Sequence, residues 1–164
     1  MKLVGIDPGQ KGGIAYIDDT TVSVTPMPIR TSSQDKDELD FRSVALLLKN
    51  LNPDIIYIEQ VHAMPGQGVT SMFRFGWGTG GLHGVMEALG FKIVTVGPRK
   101  WQKTLMGDEK HEKEDTIAFI TAKYPQVSLL ATPRSKKPHD GMSDALAIAT
   151  YGWQECINNQ LSKE

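Results

Sequence analysis

Four carboxylates occupy positions from which an α/β chain can bring acidic groups together. Asp7 closes the apolar run KLVGID and Glu59 closes DIIYIE. If these runs are neighbouring parallel strands, both acids stand at the carboxyl edge of the sheet, where open α/β sheets place their sites. Asp140 and Asp144 are four residues apart in HDGMSDALAIA, so a helix sets them on one face. Four converging carboxylates repel one another. A divalent cation that prefers hard oxygen ligands, Mg²⁺ or Mn²⁺, is the usual remedy. Two such ions about 4 Å apart catalyse phosphodiester hydrolysis. Plainer uses exist for three of the acids. Asp7 precedes the Pro8-Gly9 turn, Glu59 ends a strand, and Asp140 suits a helix N-cap. Asp144 leads into the small apolar run ALAIA, where a charge needs a partner or a metal.

The elements that must carry these acids follow from hydrophobic pattern. KLVGID, GIAYID and TVSVTP predict three short strands in a meander. Residues 37–51 show apolar positions near helical spacing, and Asn52-Pro53 ends that helix. DIIYIE reads as a buried strand. Residues 60–69 form a loop rich in proline and glycine. Residues 70–89 read as a helix in spite of six glycines between positions 76 and 90. FKIVTV is a further strand. A helix over 98–105 opens on proline, which suits a first turn. Residues 112–124 form an amphipathic helix stopped by Pro125, 131–139 a loop, and 140–157 the last helix. The expected order is βββαβαβαα, an α/β fold with a mixed central sheet flanked by helices.

Two further segments have types suited to binding. Gly76, Gly80 and Gly84 recur every four residues, which leaves one helix face without side chains. Such a face favours close backbone packing, against the sheet or against a dimer partner. The same helix carries Phe73, Phe75 and Trp77 around Arg74. It is not a nucleotide-binding loop, because it lacks the strand–turn–helix placement and a P-loop lysine; no nucleotide cofactor is expected. Arg99, Lys100, Lys103, Lys110 and Lys113 precede or open helices, and Arg134, Lys136 and Lys137 lie just before the last two acids. These cations suit phosphate contacts, which position DNA without reading its sequence. Their alternative reading is a solvated surface.

Composition sets the bounds. A chain of 164 residues is one domain, 1–164. A net charge of −1 argues against a uniformly basic binder. Its distribution is uneven, with net −3 over residues 1–59, +5 over 92–137 and −3 over 138–164. That pattern suits a carboxylate cluster beside a phosphate-binding surface. No apolar run approaches the ~18 residues of a membrane span, and no signal-peptide core precedes Asp7. The single cysteine, Cys156, excludes an internal disulfide framework and a cysteine-based zinc site. The expected setting is cytoplasmic, without a membrane partner.

IDPGQKGGIA, IYIEQV, EQVHAMPGQGVTSMFRFG, VTVGPRKWQKTLMG and HDGMSDALAIA together resemble the RuvC-like Holliday junction resolvases, in their phage and bacterial forms. The resemblance covers nearly the whole chain. It implies an RNase H-like fold, a homodimer, and Mg²⁺-dependent cleavage of four-way DNA junctions to 5′-phosphate and 3′-hydroxyl ends in a bacterial or phage setting. Two Mg²⁺ ions per site are implied, with Mn²⁺ able to substitute. The family's catalytic and metal-binding positions carry over to Asp7, Glu59, Asp140 and Asp144. Standard bacterial members space the last two acids three apart, whereas here they are four apart with Gly141 between them. That departure makes Asp140 the least secure ligand and brings the adjacent His139 forward as an alternative. By the same resemblance the loop over 63–71 approaches the junction centre, where Met72 or Phe73 supplies an apolar wedge; core packing is the competing role. Three rival readings stand beside the resolvase. One is a flap or fork nuclease of the same fold. Another is an actin-like kinase, which needs two such domains. The third is a non-catalytic binder of DNA structure.

Overall fold

The computed structural model describes residues 1–33, 36–63, 66 and 68–161. The predicted meander forms from Leu3–Asp7 (β1), Gly13–Ile17 (β2) and Val22–Pro26 (β3), paired antiparallel. Ile29–Thr31 (β4) and Asp37–Leu39 (β5) make a separate two-stranded hairpin. Phe41–Leu51 (α1), Ile55–Glu59 (β6), Val69–Ala88 (α2) and Ile93–Val96 (β7) follow, then Pro98–Met106 (α3), Lys113–Lys123 (α4) and Asp140–Leu161 (α5). The main sheet runs β3-β2-β1-β6-β7, with β1, β6 and β7 parallel.

Alternation along the strands fills two cores. Val4, Ile6, Ile14, Ile56 and Ile58 pack on one face with Val44 and Leu48 of α1 and Leu82 and Met86 of α2. Leu3, Ala15, Ile17, Ile55 and Tyr57 pack on the other with Trp101, Ile120 and the buried side of α5. Helices on both faces explain why β1, β2 and β6 read as continuous apolar runs. The smallness of ALAIA has a direct cause. A Cβ at Gly5 would overlap the Ala149 nitrogen and the Ala145 carbonyl oxygen, so α5 lies against the bare backbone of the central strand.

Several expectations need correction. The helix predicted from residue 37 begins at Phe41, because the Asp40 carboxylate caps it, accepting from the Ser43 amide at 3.1 Å and the Ser43 hydroxyl at 2.6 Å. Asp37–Leu39 instead pairs with Ile29–Thr31, a hairpin whose three-residue strands are too short to show a period. The three helices expected after FKIVTV all form, so the order βββαβαβαα is short by one helix at its end as well as by the β4–β5 hairpin. The glycine stripe of α2 does not meet the sheet. A Cβ at Gly76, Gly80 or Gly84 would stand in open space, and the close approaches are at Gly78, against Leu39, and Gly81, against Phe41. Residues 64, 65 and 67 of the expected 60–69 loop lie outside the described residues.

Gly5→Ala tests the seating of α5. Overpacking against backbone should lower stability by about 2 kcal/mol or more. Urea midpoints at unchanged slope measure this, and a midpoint equal to the parent's would contradict the close approach.

Candidate active site: acids beneath a basic and aromatic cleft

Register brings the first pair of acids to one edge. Ile6 of β1 is opposite Ile58 of the parallel β6, so Asp7 and Glu59 are the next residues on neighbouring strands. The second pair arrives on α5. A Cβ at Gly141 would overlap the Lys11 carbonyl oxygen, so glycine lets the helix start against the turn that follows Asp7. Asp140 and Asp144 then fall on successive turns of α5. The N-cap position belongs to His139, whose Nδ1 accepts from the Met142 amide at 3.2 Å. This corrects the capping role considered for Asp140. It also gives His139 a structural use away from the cleft.

Asp7, Asp140 and Asp144 line one open cleft of about 850 Å³. Glu59 is not among the lining residues, yet its charge acts on both Asp7 and Asp144. Burial pushes Asp7 up to about 8, and the charges of Asp144 and Glu59 add to the effect while Lys113 opposes it. Burial pushes Asp144 up to about 7, assisted by Glu59 and Asp140. Burial also raises Glu59, against the Trp101 hydrogen bond, which favours the carboxylate. Trp101, 1% exposed, donates from Nε1 to Glu59 Oε1 at 2.9 Å. Lys113 Nζ donates to Asp140 Oδ2 at 2.7 Å.

Two of the four acids therefore hold protein partners. Among the described residues, no three histidine, cysteine, aspartate or glutamate side chains converge closely enough to hold one metal ion. The donor chemistry nevertheless fits a hard divalent cation. The acids offer oxygen ligands only, they are partly desolvated, and two are raised to near neutrality by burial and mutual repulsion. A cation would exchange for the Lys113 ammonium at Asp140 and relieve the repulsion at Asp7.

Cations surround the acids. Lys11, Lys36, Arg74 and Lys113 line the cleft, with Phe75 and Trp77 beside them. The β4–β5 hairpin supplies one wall, tied to the turn after β1 by Gln10 Nε2 donating to the Asp37 carbonyl. Of the cations singled out from sequence, only Arg74 and Lys113 line this cleft. Met72 and Phe73 are exposed on α2 but are not among the lining residues. Arg99 and Lys100 are exposed at the start of α3, and Lys100 Nζ lies 6.0 Å from the Tyr151 ring. Lys103 pairs with Asp108 and Lys110 with Glu112, each at 2.6 Å on the surface, where such pairs contribute little. Arg134, Lys136 and Lys137 are exposed before α5 and outside the cleft.

Sequence reasoning missed Lys11, Lys36 and the Trp101 contact. Lys11 had a signal, since it lies in the turn directly after Asp7. Lys36 had none, because its hairpin shows no period. Trp101 resembles any core aromatic until Glu59 is found beside its nitrogen.

The electrostatics predict a pH dependence. Folded Asp7 and Asp144 keep protons that the unfolded chain releases above about pH 4. The folded state therefore binds more protons between about pH 4 and pH 8, and stability falls as pH rises through that window. At pH 9, without divalent ions, Asp7→Asn should melt at least about 3 °C above the parent, the shift that ~1 kcal/mol gives at this size. Mg²⁺ added to the parent should recover a similar amount. Melting curves of the parent that do not change from pH 5 to 9 would contradict the cluster.

Comparison with known proteins bears on the fold and the family. A chloroplastic Holliday junction resolvase, MOC1 of Chlamydomonas reinhardtii, is 30% identical over 102 residues, which is 62% of this chain and 11% of that much longer protein. The chain thus spans about a ninth of that relative's length. The fold matches the Thermus thermophilus RuvC structure solved with a Holliday junction substrate, at TM-score 0.67 and 17% identity, covering 96% of this chain and 95% of that one. A second T. thermophilus RuvC structure matches at TM-score 0.63 and 18% identity, covering 96% and 97%. The family model described as crossover junction endodeoxyribonuclease RuvC matches residues 3–151, and the chain belongs to that family.

Proposed function

We propose that this protein is a divalent-metal-dependent endonuclease that resolves four-way DNA junctions by paired, symmetric nicks, leaving 5′-phosphate and 3′-hydroxyl ends. The observation that carries the reading is the shared cleft. Asp7, Asp140 and Asp144 stand in the same hollow as Lys11, Lys36, Arg74 and Lys113. A purely structural acidic cluster has no need of that cationic rim, and a DNA-structure binder has no need of buried, mutually repelling acids. A phosphodiester hydrolase uses both. Membership of the RuvC family supports the choice of substrate.

Asp7, Glu59 and Asp144, with Asp140, are the residues that would hold the metal. When bound, a pair of Mg²⁺ ions, or Mn²⁺ in their place, supplies a nucleophilic hydroxide and charge stabilisation at the leaving 3′ oxygen. The rest is the work of the chain. Burial of Asp7 and Asp144 limits competing solvent around the reacting phosphate. Trp101 occupies Glu59 Oε1 and leaves Oε2 for a further partner. Arg74, Lys11 and Lys36 hold the flanking phosphates, and the Lys113 ammonium, which now holds Asp140, would turn to the strand if a metal took Asp140. Arg99, Lys100, Arg134, Lys136 and Lys137 extend phosphate contact beyond the cleft. Lys103 and Lys110 join them at the cost only of weak surface pairs.

A four-way junction has two-fold symmetry, which a homodimer matches with two sites. The exposed stripe of α2, where Val69 and Phe73 are 84% and 73% exposed and Gly76, Gly80 and Gly84 leave open space, is the proposed contact between copies. The proposed setting is the cytoplasm of a bacterial cell or of a phage-infected one; among the described residues no helix is long and apolar enough to cross a membrane.

Cleavage of a labelled immobile four-way junction in Mg²⁺ tests the reading, beside matched duplex, flap and three-way DNAs. Expected are symmetric nicks on the junction alone. Asp7→Asn should lose more than about 100-fold in rate, beyond the loss typical of a group that only supports a ligand, while still binding the junction. Binding should weaken steeply with salt. Preferential cutting of flaps moves the function to a branch nuclease. Tight junction binding without cutting, in both Mg²⁺ and Mn²⁺, overturns the enzyme.

A further inference from the structure

We propose that Trp101 is a positioning residue for the metal site: it engages one oxygen of Glu59, leaves a single oxygen for a cation, and thereby favours Mg²⁺ or Mn²⁺ over Ca²⁺. The inference rests on the proposed function, in which Glu59 helps to hold the metal. It assigns the ion preference of that site to one side chain.

Fixing an oxygen needs a donor that cannot wander, and Trp101 is built as one. Strand register sets Glu59 of β6 opposite Val96 of β7, and the Gln60 amide donates to the Val96 carbonyl at 2.7 Å. Two residues after Val96, α3 starts on Pro98, so Trp101 arrives one turn into a helix anchored beside Glu59. The residue is 1% exposed, in the core that the sheet shares with α5. Close packing there leaves the indole little freedom to turn. Its Nε1 donates to Glu59 Oε1 at 2.9 Å, an ordinary hydrogen-bond length. The backbone of Glu59 is set by strands on both sides of β6. The indole adds a restraint at the far end of a side chain that otherwise samples several rotamers.

The kind of donor matters. Lys113 holds Asp140 by charge at 2.7 Å, and a metal at Asp140 would have to displace that ammonium. An indole N–H is neutral and donates only. It leaves the charge of Glu59 uncancelled and can stay in place when a cation arrives. With Oε1 engaged, coordination by both oxygens of Glu59 is closed. Ca²⁺ takes roughly six to eight oxygens, often both from one carboxylate, whereas Mg²⁺ keeps a strict octahedron filled by single oxygens and water. Losing a two-oxygen ligand therefore penalises Ca²⁺ more. A buried indole by itself needs only some acceptor, such as a carbonyl. Here the acceptor is the acid whose charge acts on Asp7 and Asp144.

The test compares the full chain with Trp101→Phe, Glu59→Gln and the double variant, by calorimetric titration of Mn²⁺ and of Ca²⁺ without DNA. Phenylalanine keeps an aromatic ring and removes the donor. Trp101→Phe should bind Mn²⁺ about 10-fold more weakly, as expected when a group that orients a ligand is lost. Its Ca²⁺ affinity should fall by less than about 3-fold, because a freed Glu59 can offer both oxygens. In the Glu59→Gln background the same substitution should change neither. On the four-way junction, Trp101→Phe should need about 10-fold more Mn²⁺ for half-maximal cleavage and recover most of the parental rate at saturation. A second readout needs no variant. The indole N–H resonance of Trp101 should shift when Mg²⁺ is added and stay protected from exchange with water. Unchanged or tighter Mn²⁺ binding by Trp101→Phe overturns the inference. So do equal losses for both ions that persist in Glu59→Gln, and loss of protection at Trp101 on adding Mg²⁺. A parent that binds no divalent cation at the acids contradicts the proposed function and takes this inference with it. Mn²⁺ binding that ignores residue 101 contradicts this inference alone.

Discussion

Repulsion between carboxylates held partly out of water is the constraint on which the rest of this structure depends. A cluster with Asp7 pushed up to about 8 and Asp144 to about 7 is costly to fold. Two deep cores sustain it. The β1–β6 pair is buried on both faces, so the positions of Asp7 and Glu59 are set by packing rather than by the acids' own preference. The tight seat of α5 against Gly5, and of its own Gly141 against the turn at Lys11, fixes the other pair in the same way. Acids that would separate in solution are thus held near one another by apolar burial. The proposed consequence is a site that gains stability when a divalent cation enters.

Around that centre, two neutral or cationic grips manage the acids, and each comes from a different helix. Trp101 on α3 holds Glu59 by a neutral hydrogen bond, and Lys113 at the start of α4 holds Asp140 by charge. The cleft wall comes from elsewhere again, from the β4–β5 hairpin and the first turns of α2. Four separated parts of the chain therefore meet at one sheet edge. This is the arrangement that open α/β sheets favour, because strand ends and helix starts are free to carry chemistry that the core cannot tolerate.

Much of this was legible because it follows local rules. Asp7 and Glu59 each end an apolar run, and strand direction then decides their meeting. The i, i+4 spacing of Asp140 and Asp144 needs only a helix. The β4–β5 hairpin was not legible, since its strands are three residues long, and DELD carries an N-cap inside what looks like helix. The glycines of α2 were legible only in part, for a related reason. A period of four marks a face without side chains, but not what lies opposite that face; Gly78 and Gly81, off the period, make the contacts. Basic residues were the least legible. Charge on a surface looks the same in sequence whether it faces a cleft, as Arg74 does, or pairs with a surface acid, as Lys103 does with Asp108.

Metal binding at the acids tests the central claim most directly. Crystals soaked in Mn²⁺ and measured for anomalous scattering locate the ion without reference to any activity. The account predicts a peak bounded by Asp7, Glu59 and Asp144, with Lys113 displaced from Asp140, and no such peak in Asp7→Asn. Mn²⁺ found only elsewhere on the surface, with the Lys113–Asp140 pair intact at saturating ion, would contradict it.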